Sequence, residues 1–304
     1  LQQLAIGAGD TSIGHASAYC QLLESLSGTQ VPERAYAIRA IALELERLAN
    51  HVGDIGALAG DVGFLPTASF CGRLRGDYLN LSADLSGSRF GRGLLRPGGV
   101  GFDLTPALID HFLQRLTLLE AETRGALELC FDSPSVLARF EGIGFVSVDD
   151  AEALGLVGVA AKASGLVRDC RLHHCPGEQE GGIDTPVIDV DGDVFARGNV
   201  RRREVYASID LIRQILKRLP PGAIKVELPP LAADSLAVSL CEGWRGEVVH
   251  AAVTDRQGKF ERYKIVDPSF HNWSGLALAL RGEQISDFPL CNKSFNLSYC
   301  GFDL

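Results

Sequence analysis

The sequence predicts a mainly α fold of the α+β kind, a core of long helices that carries a small β-hairpin. Three observations predict it. Apolar residues recur at spacings of three and four through several long stretches, a single segment near residues 246–267 alternates in the strand manner, and the regular strand–helix alternation of a dinucleotide fold is missing. With 304 residues, 46% of them hydrophobic and 22% charged, the chain has a globular balance and enough length to bury a sizeable core. We expect one domain over 1–304, with a surface excursion at about 176–199.

The first helix is expected from His15 to about Ser27, closed at Gly28. Val31-Pro32-Glu33-Arg34 opens the clearest one, because proline fits the first turn and Glu33 suits the positive end of the helix dipole. Ile38, Ile41, Leu45, Leu48 and Val52 then form one apolar face, and Glu44, Arg47 and His51 form a charged ladder beside it. Residues 66–87 read as an interrupted helix. Thr105-Pro106 opens a long helix to Cys130, Ser133-Pro134 starts a short one, and Ser147 with Asp149-Asp150 caps another that breaks at Gly155. Residues 176–199 turn to Gly, Asp and Pro, with Val187, Ile188 and Val190 as a short strand. A helix over 203–219 is closed by Pro220-Pro221. The 246–267 hairpin turns at Thr254-Asp255-Arg256-Gln257-Gly258, Ser269 to Leu280 is the last helix, and the tail reads as irregular.

A formal charge of −9 argues against nucleic acid as a partner, since phosphate binding draws on Lys and Arg. No stretch approaches the roughly 20 apolar residues of a membrane span, so no transmembrane segment is expected in this chain. The start does not read as a signal peptide. Zero methionine, with no initiator, suggests that the N-terminal part of the full protein precedes Leu1. Eight cysteines without a secretory signal suggest a reducing compartment and buried thiols that behave as small hydrophobes.

The glycine clusters at 87–93 and 96–101 lack the strand before and helix after that a phosphate cradle needs, and read as turns. Cys170-Arg171-Leu172-His173-His174-Cys175 gathers soft ligands, but crowds them into six residues where structural zinc sites join two separated pairs. No Ser/His/Asp arrangement or Gly-x-Ser-x-Gly nucleophile motif stands out.

Several segments in order nonetheless resemble one family: His15-Ala16-Ser17-Ala18-Tyr19, then Val31-Pro32-Glu33-Arg34 through Arg47-Leu48-Ala49-Asn50-His51, then Ala163-Ser164-Gly165 with Arg168-Asp169. Gly192-Asp193-Val194 with Arg197 and Arg201, Glu242-Gly243-Trp244-Arg245-Gly246-Glu247 and Ile285-Ser286-Asp287 continue the series. Together they resemble the nickel–iron hydrogenase large subunit superfamily in its energy-converting, formate hydrogenlyase-type branch, with the quinone-site large subunit of respiratory complex I as a relative. The resemblance covers nearly the whole chain.

In hydrogenases of that family, two C-x-x-C motifs hold the metal pair, four thiolates being the soft, anionic set it needs. By resemblance those positions fall on Ala8 and Thr11, and on Ser298 and Gly301 after Ser286-Asp287-Phe288-Pro289. All four cysteines are therefore absent, and Cys300 stands one residue from a ligand position. The expectation is that this chain binds no nickel–iron centre. Where the complex I relative has its quinone-site tyrosine, this sequence has Gly9.

The candidate cavity is Gly9, His15, Tyr19, Asp287 and Cys300, with packing between helices as the alternative for His15 and Tyr19. Glu44, Arg47 and His51 are a candidate proton route, with a structural ion-pair network as the alternative. The resemblance implies an iron–sulfur small subunit carrying the clusters, membrane ion-pump-like subunits, and a cytoplasmic place on the inner face of the cytoplasmic membrane. It leaves three functions open: coupling of electron arrival to proton or conformational change, reduction of a quinone or other small acceptor, and a non-redox scaffold. An active hydrogenase is the weakest fit.

Overall fold

A computed structural model describes residues 10–174 and 182–304. Eleven α-helices stand among the described residues, with a three-stranded antiparallel sheet and a two-residue hairpin. The mainly α class is as expected.

Helix α1 (Ser12–Ser27) ends at Gly28, whose left-handed φ of 65° turns the chain out. Helix α2 (Glu33–Asp61) continues past Val52 and packs along its length on α3 (Leu65–Ser86). Residues 66–87 are thus not interrupted. The glycines at 72 and 76 cost helix propensity, but packing of Cys71, Leu74 and Tyr78 holds the turn they would release. Of the two glycine clusters after it, 87–93 forms turns that lead into β1 (Leu95–Arg96), and 96–101 forms the turn and second strand, β2 (Gly99–Val100), of a small hairpin.

Helix α4 (Pro106–Phe131) is capped by Thr105, whose hydroxyl accepts from the Leu108 amide. The short helices α5 (Pro134–Phe140), α6 (Val148–Ala153) and α7 (Gly158–Ala163) follow, then a 3₁₀ turn at Cys170–Leu172. A Cβ on Gly158 would lie 2.0 Å from the Arg245 carbonyl, and its φ is +59°. The start of α7 can therefore rest directly on the turn before β4.

The surface excursion is shorter than expected. Helix α8 (Val194–Lys217) begins inside it, capped by the Asp193 side chain on the Ala196 amide. Val194, Ala196, Arg197 and Val200 are buried, so 194–199 belongs to the core. No apolar stripe marks this start, because the helix buries Arg197 and Arg201 behind a run of glycine and aspartate. No strand forms at Val187–Val190. Residues 176–181 of the same excursion lie outside the described residues.

The hairpin at 246–267 is present as β4 (Glu247–Thr254) and β5 (Phe260–Val266), and β3 (Leu236–Glu242) joins it as a third strand in the order β3-β4-β5. Ser239 pairs with His250 and His250 with Ile265, which sets the sheet's inner face against α1. Helix α9 (Pro268–Ala279) follows at once. The tail is not irregular: a 3₁₀ turn (Ile285–Asp287), α10 (Phe288–Phe295) and α11 (Tyr299–Phe302) fold it back across α2, α8 and α9. One hydrophobic core runs through α2, α3, α4 and α8 and reaches the tail at Leu290, Cys291 and Phe295. No helix among the described residues is long and apolar enough to cross a membrane.

Candidate functional site

Two buried polar groups are built partly on α1 and α2. The first gathers around the N-terminus of α1 and the C-terminal tail. Asp10 takes a two-pronged ion pair from Arg245, at 2.8 Å to each oxygen, and Arg245 also donates to the carbonyl of Asn296. Burial opposes ionisation of Asp10, but the Arg245 hydrogen bond and charge prevail and hold it below the usual carboxylate range. Thr11 Oγ1 accepts from the same guanidinium at 3.2 Å.

On the tail, the Ser298 amide donates to Ser269, and Ser298 Oγ accepts from the Gly301 amide. A Cβ on Gly301 would lie 2.5 Å from Asp267 Oδ1, so the Asp267 carboxyl fills the place of any side chain at 301. Asp267 caps α9 and reaches His15, whose Nε2 stands 3.1 Å from Oδ2. Thr11, Ser298 and Gly301, far apart in sequence, are thus drawn to one end of α1 around Arg245 and Asp267. Ala8 and Gly9 lie outside the described residues.

The rest of the candidate cavity divides. His15 belongs to this group. Tyr19 is half-buried, its ring centroid 6.4 Å from that of Tyr263 on β5. Asp287 is not joined to His15 by any described hydrogen bond; it pairs with Arg139 at 3.0 Å and closes its own 3₁₀ turn by accepting from the Gln284 amide. Cys300 is exposed on α11. The expected constellation is therefore split, because Asp287 precedes α10 and that helix carries the chain away before Ser298.

The second group contains the Glu44, Arg47 and His51 ladder and is larger than the ladder. Arg47 donates to Glu44 at 3.0 Å and lies 3.8 Å from Glu204 on α8. His51 Nε2 stands 2.7 Å from Glu204 Oε2. Lys162, at the end of α7, reaches Glu204 at 2.5 Å, Asp169 at 3.1 Å and Glu242 at 3.3 Å. Arg171 then ties Asp169 back to Glu44, at 2.7 and 3.1 Å. Four carboxylates therefore share one buried cluster with the three cations Arg47, Lys162 and Arg171.

The electrostatics of this cluster follow from burial set against those pairs. For Glu204, burial is outweighed by Lys162 and His51, and its carboxyl is held well below the usual range. Glu44 is lowered too, Arg47 and Arg171 overcoming burial. Glu242 goes the other way: burial and then Asp169 raise it. The excess negative charge of the cluster therefore collects a proton most readily at Glu242. Burial pushes His51 down to about 4, so its ring is neutral, donates from Nε2 to Glu204, and leaves Nδ1 without a partner. A cleft of about 230 Å³, lined by Asp169, Glu242, Glu247, His173 and His174, opens this cluster toward solvent.

The soft-ligand run at 170–175 does not converge. Cys170 is buried with its amide on Glu242, His173 and His174 are exposed, and Cys175 lies outside the described residues. Among the described residues no group of three His, Cys, Asp or Glu side chains is placed to hold a metal.

Sequence reasoning reached the ladder but not its partners on other elements. Lys162 had a signal, a lone cation closing the apolar run 153–161, and a lysine there must find buried carboxylates. Asp267, His250 and Tyr263 had none, since only the sheet register and the α9 cap bring them to His15.

A family described as "Respiratory-chain NADH dehydrogenase, 49 Kd subunit" matches residues 61–236. The chain is 34% identical over 288 residues to the carbon monoxide-induced hydrogenase of Rhodospirillum rubrum, covering 94% of this chain and 79% of that protein. It is 32% identical over 295 residues to formate hydrogenlyase subunit 5 of Escherichia coli, covering 96% of this chain and 51% of that protein. It is 32% identical over 307 residues to NADH-quinone oxidoreductase subunit 4 of Thermus thermophilus, covering 91% and 74%. The chain thus spans about half of the formate hydrogenlyase subunit, and more of the other two.

Proposed function

The chain belongs to the family of the respiratory-chain NADH dehydrogenase 49 kDa subunit and its hydrogenase relatives, and from that membership we propose that it is the large subunit of a membrane-associated oxidoreductase complex that works without a nickel–iron centre. The observation that carries this reading is the chemistry at the four positions where the hydrogenase ligands would stand. Ala8, Thr11, Ser298 and Gly301 offer no thiolate, Thr11 and Ser298 spend their hydroxyls on Arg245 and the Gly301 amide, and Asp267 fills the place of a side chain at 301. A donor set of two engaged hydroxyls does not fit a metal pair that needs convergent soft anions.

Electrons in this proposal arrive from clusters on an iron–sulfur small subunit. The large subunit docks with it, on the cytoplasmic face of the membrane, against ion-pump-like membrane subunits. Two relatives are named as numbered subunits, which supports a place in an assembly. Coupling to protons or conformation draws on the buried cluster. Its carboxylates outnumber its cations, Glu242 takes up the extra proton, and the cleft at His173 and His174 gives that proton a way out. A change of charge at the α1 end reaches this cluster through α2, which carries Glu44, Arg47 and His51, and through the turn at Gly243–Arg245, whose Gly243 carbonyl accepts from Arg47 at 3.1 Å.

The acceptor at the α1 end is a quinone or another small two-electron acceptor. The name of the Thermus relative and the buried hydrogen-bonding rim of His15 and Asp267 support this. A photoreactive quinone analogue added to the purified complex is expected to label residues 10–19 in competition with unlabelled quinone. Measurable electron turnover without any such labelling would set quinone aside in favour of a different acceptor.

A further inference from the structure

Four side chains from four elements stand in one hydrogen-bonded file. Tyr263 Oη on β5 lies 2.7 Å from His250 Nδ1 on β4. His250 Nε2 lies 3.1 Å from His15 Nδ1 on α1, and His15 Nε2 lies 3.1 Å from Asp267 Oδ2 at the cap of α9. His15, His250 and Asp267 are fully buried, whereas Tyr263 is only partly so. The file therefore runs from a partly buried tyrosine on the outer strand to a carboxylate packed on Gly301.

The hydrogen bonds can be ordered from the inner end. Asp267 Oδ1 accepts from the Ser269 amide at 2.8 Å, and Oδ2 faces His15. Burial works against its charge, but the His15 and Ser269 hydrogen bonds hold Asp267 below the usual carboxylate range, so it only accepts. His15 Nε2 must then carry a hydrogen. Burial, with His15 beside it, pushes His250 down to about 3, and a neutral imidazole has one donor and one acceptor nitrogen. With His15 neutral, every donor points inward: Tyr263 O–H to His250 Nδ1, His250 Nε2–H to His15 Nδ1, His15 Nε2–H to Asp267.

We propose that Tyr263, His250 and His15 are a proton-delivery file that carries protons from the sheet edge to Asp267, beside the site where the acceptor is reduced. The proposal rests on the acceptor reading above. One passage balances as follows. Tyr263 gives its proton to His250 Nδ1 and takes one from water, while His250 gives its Nε2 proton to His15 Nδ1. His15 is then an imidazolium paired with the Asp267 carboxylate. When the iron–sulfur partner reduces the quinone, the Nε2 proton passes through Asp267 to the developing quinol oxygen, and Asp267 is a carboxylate again. After this passage each imidazole carries its hydrogen on Nδ1, and the inward order returns by exchange of tautomer, one proton leaving Nδ1 to water and one arriving at Nε2, with no net change of charge.

The test uses the intact complex reduced by dithionite-generated methyl viologen, with decylubiquinone as the probe acceptor. Tyr263→Phe keeps the ring and removes the donor. It is expected to lower quinone-reduction kcat by about 100-fold or more with KM unchanged, in the range of a lost proton-transfer group. The variant's solvent deuterium isotope effect should differ from that of the wild type. His250→Ala is expected to lose as much and to regain turnover with added imidazole. Proton uptake after flash reduction with no acceptor present, followed with a pH-indicator dye, should be slowed by both variants. Unchanged uptake in both assembled variants would overturn the file whatever the acceptor. Slowed uptake in a wild-type-like complex that reduces no quinone would keep the file and overturn the quinone reading alone.

Discussion

Replacing Lys162 by methionine is expected to destabilise the protein by about 3–5 kcal/mol, the usual cost of breaking a buried ion network from one side. Methionine matches the lysine stem in length, so little of the effect comes from packing. What changes is charge: Lys162 is about 1% exposed and touches Glu204, Asp169 and Glu242. Without it, four buried carboxylates are left with Arg47 and Arg171. A buried carboxylate that loses its cation must take up a proton or draw in water, and both weaken the contact of α7 with α8 and β3. Thermal unfolding of the purified protein should show a midpoint lower by about 5–8 °C. Adding Glu204→Gln should recover part of the loss, since it removes one of the uncompensated charges. A Lys162→Met midpoint within about 1 °C of wild type would mean that the cluster is solvated, and its role in holding charge would fall with it.

Introducing cysteine at 301 is expected to cost about 1–3 kcal/mol, because a side chain there must displace a buried carboxylate that already has its partners. Asp267→Ala is costly by itself, since it strips the cap from α9 and leaves His15 Nε2 without its acceptor. The double variant decides the matter. If Asp267 and a side chain at 301 compete for one space, the Gly301→Cys cost should shrink by at least about 0.5 kcal/mol once Asp267 is gone. Strict additivity in a chemical-unfolding cycle would show that the tail relaxes freely and that Asp267 does not define this space.

Helix periodicity and capping residues made the long helices legible, and β4–β5 alternates visibly around a turn cluster. Elements were lost where burial is polar. The start of α8 buries Arg197, whose guanidinium meets Ser294 and the carbonyls of Gly192 and Gly144. No apolar stripe announces such a helix. The ladder on α2 was readable because its members are three and four residues apart on one helix, while Lys162, Glu204 and Glu242 come from three other elements. The same holds at the α1 end. Thr11, Ser298 and Gly301 could be placed by resemblance, but Asp267 reaches Gly301 only through the fold of the tail over α9. Asp287 shows the converse, a residue near the motif in sequence that its own 3₁₀ turn and Arg139 hold elsewhere.

The most direct test of the central claim is the nickel content of the intact complex, purified anaerobically after growth with ample nickel. Nickel is expected at far less than one per large subunit, with all iron assigned to the clusters of the partner. One nickel per large subunit, retained through purification, would contradict it and return this chain to the working hydrogenases.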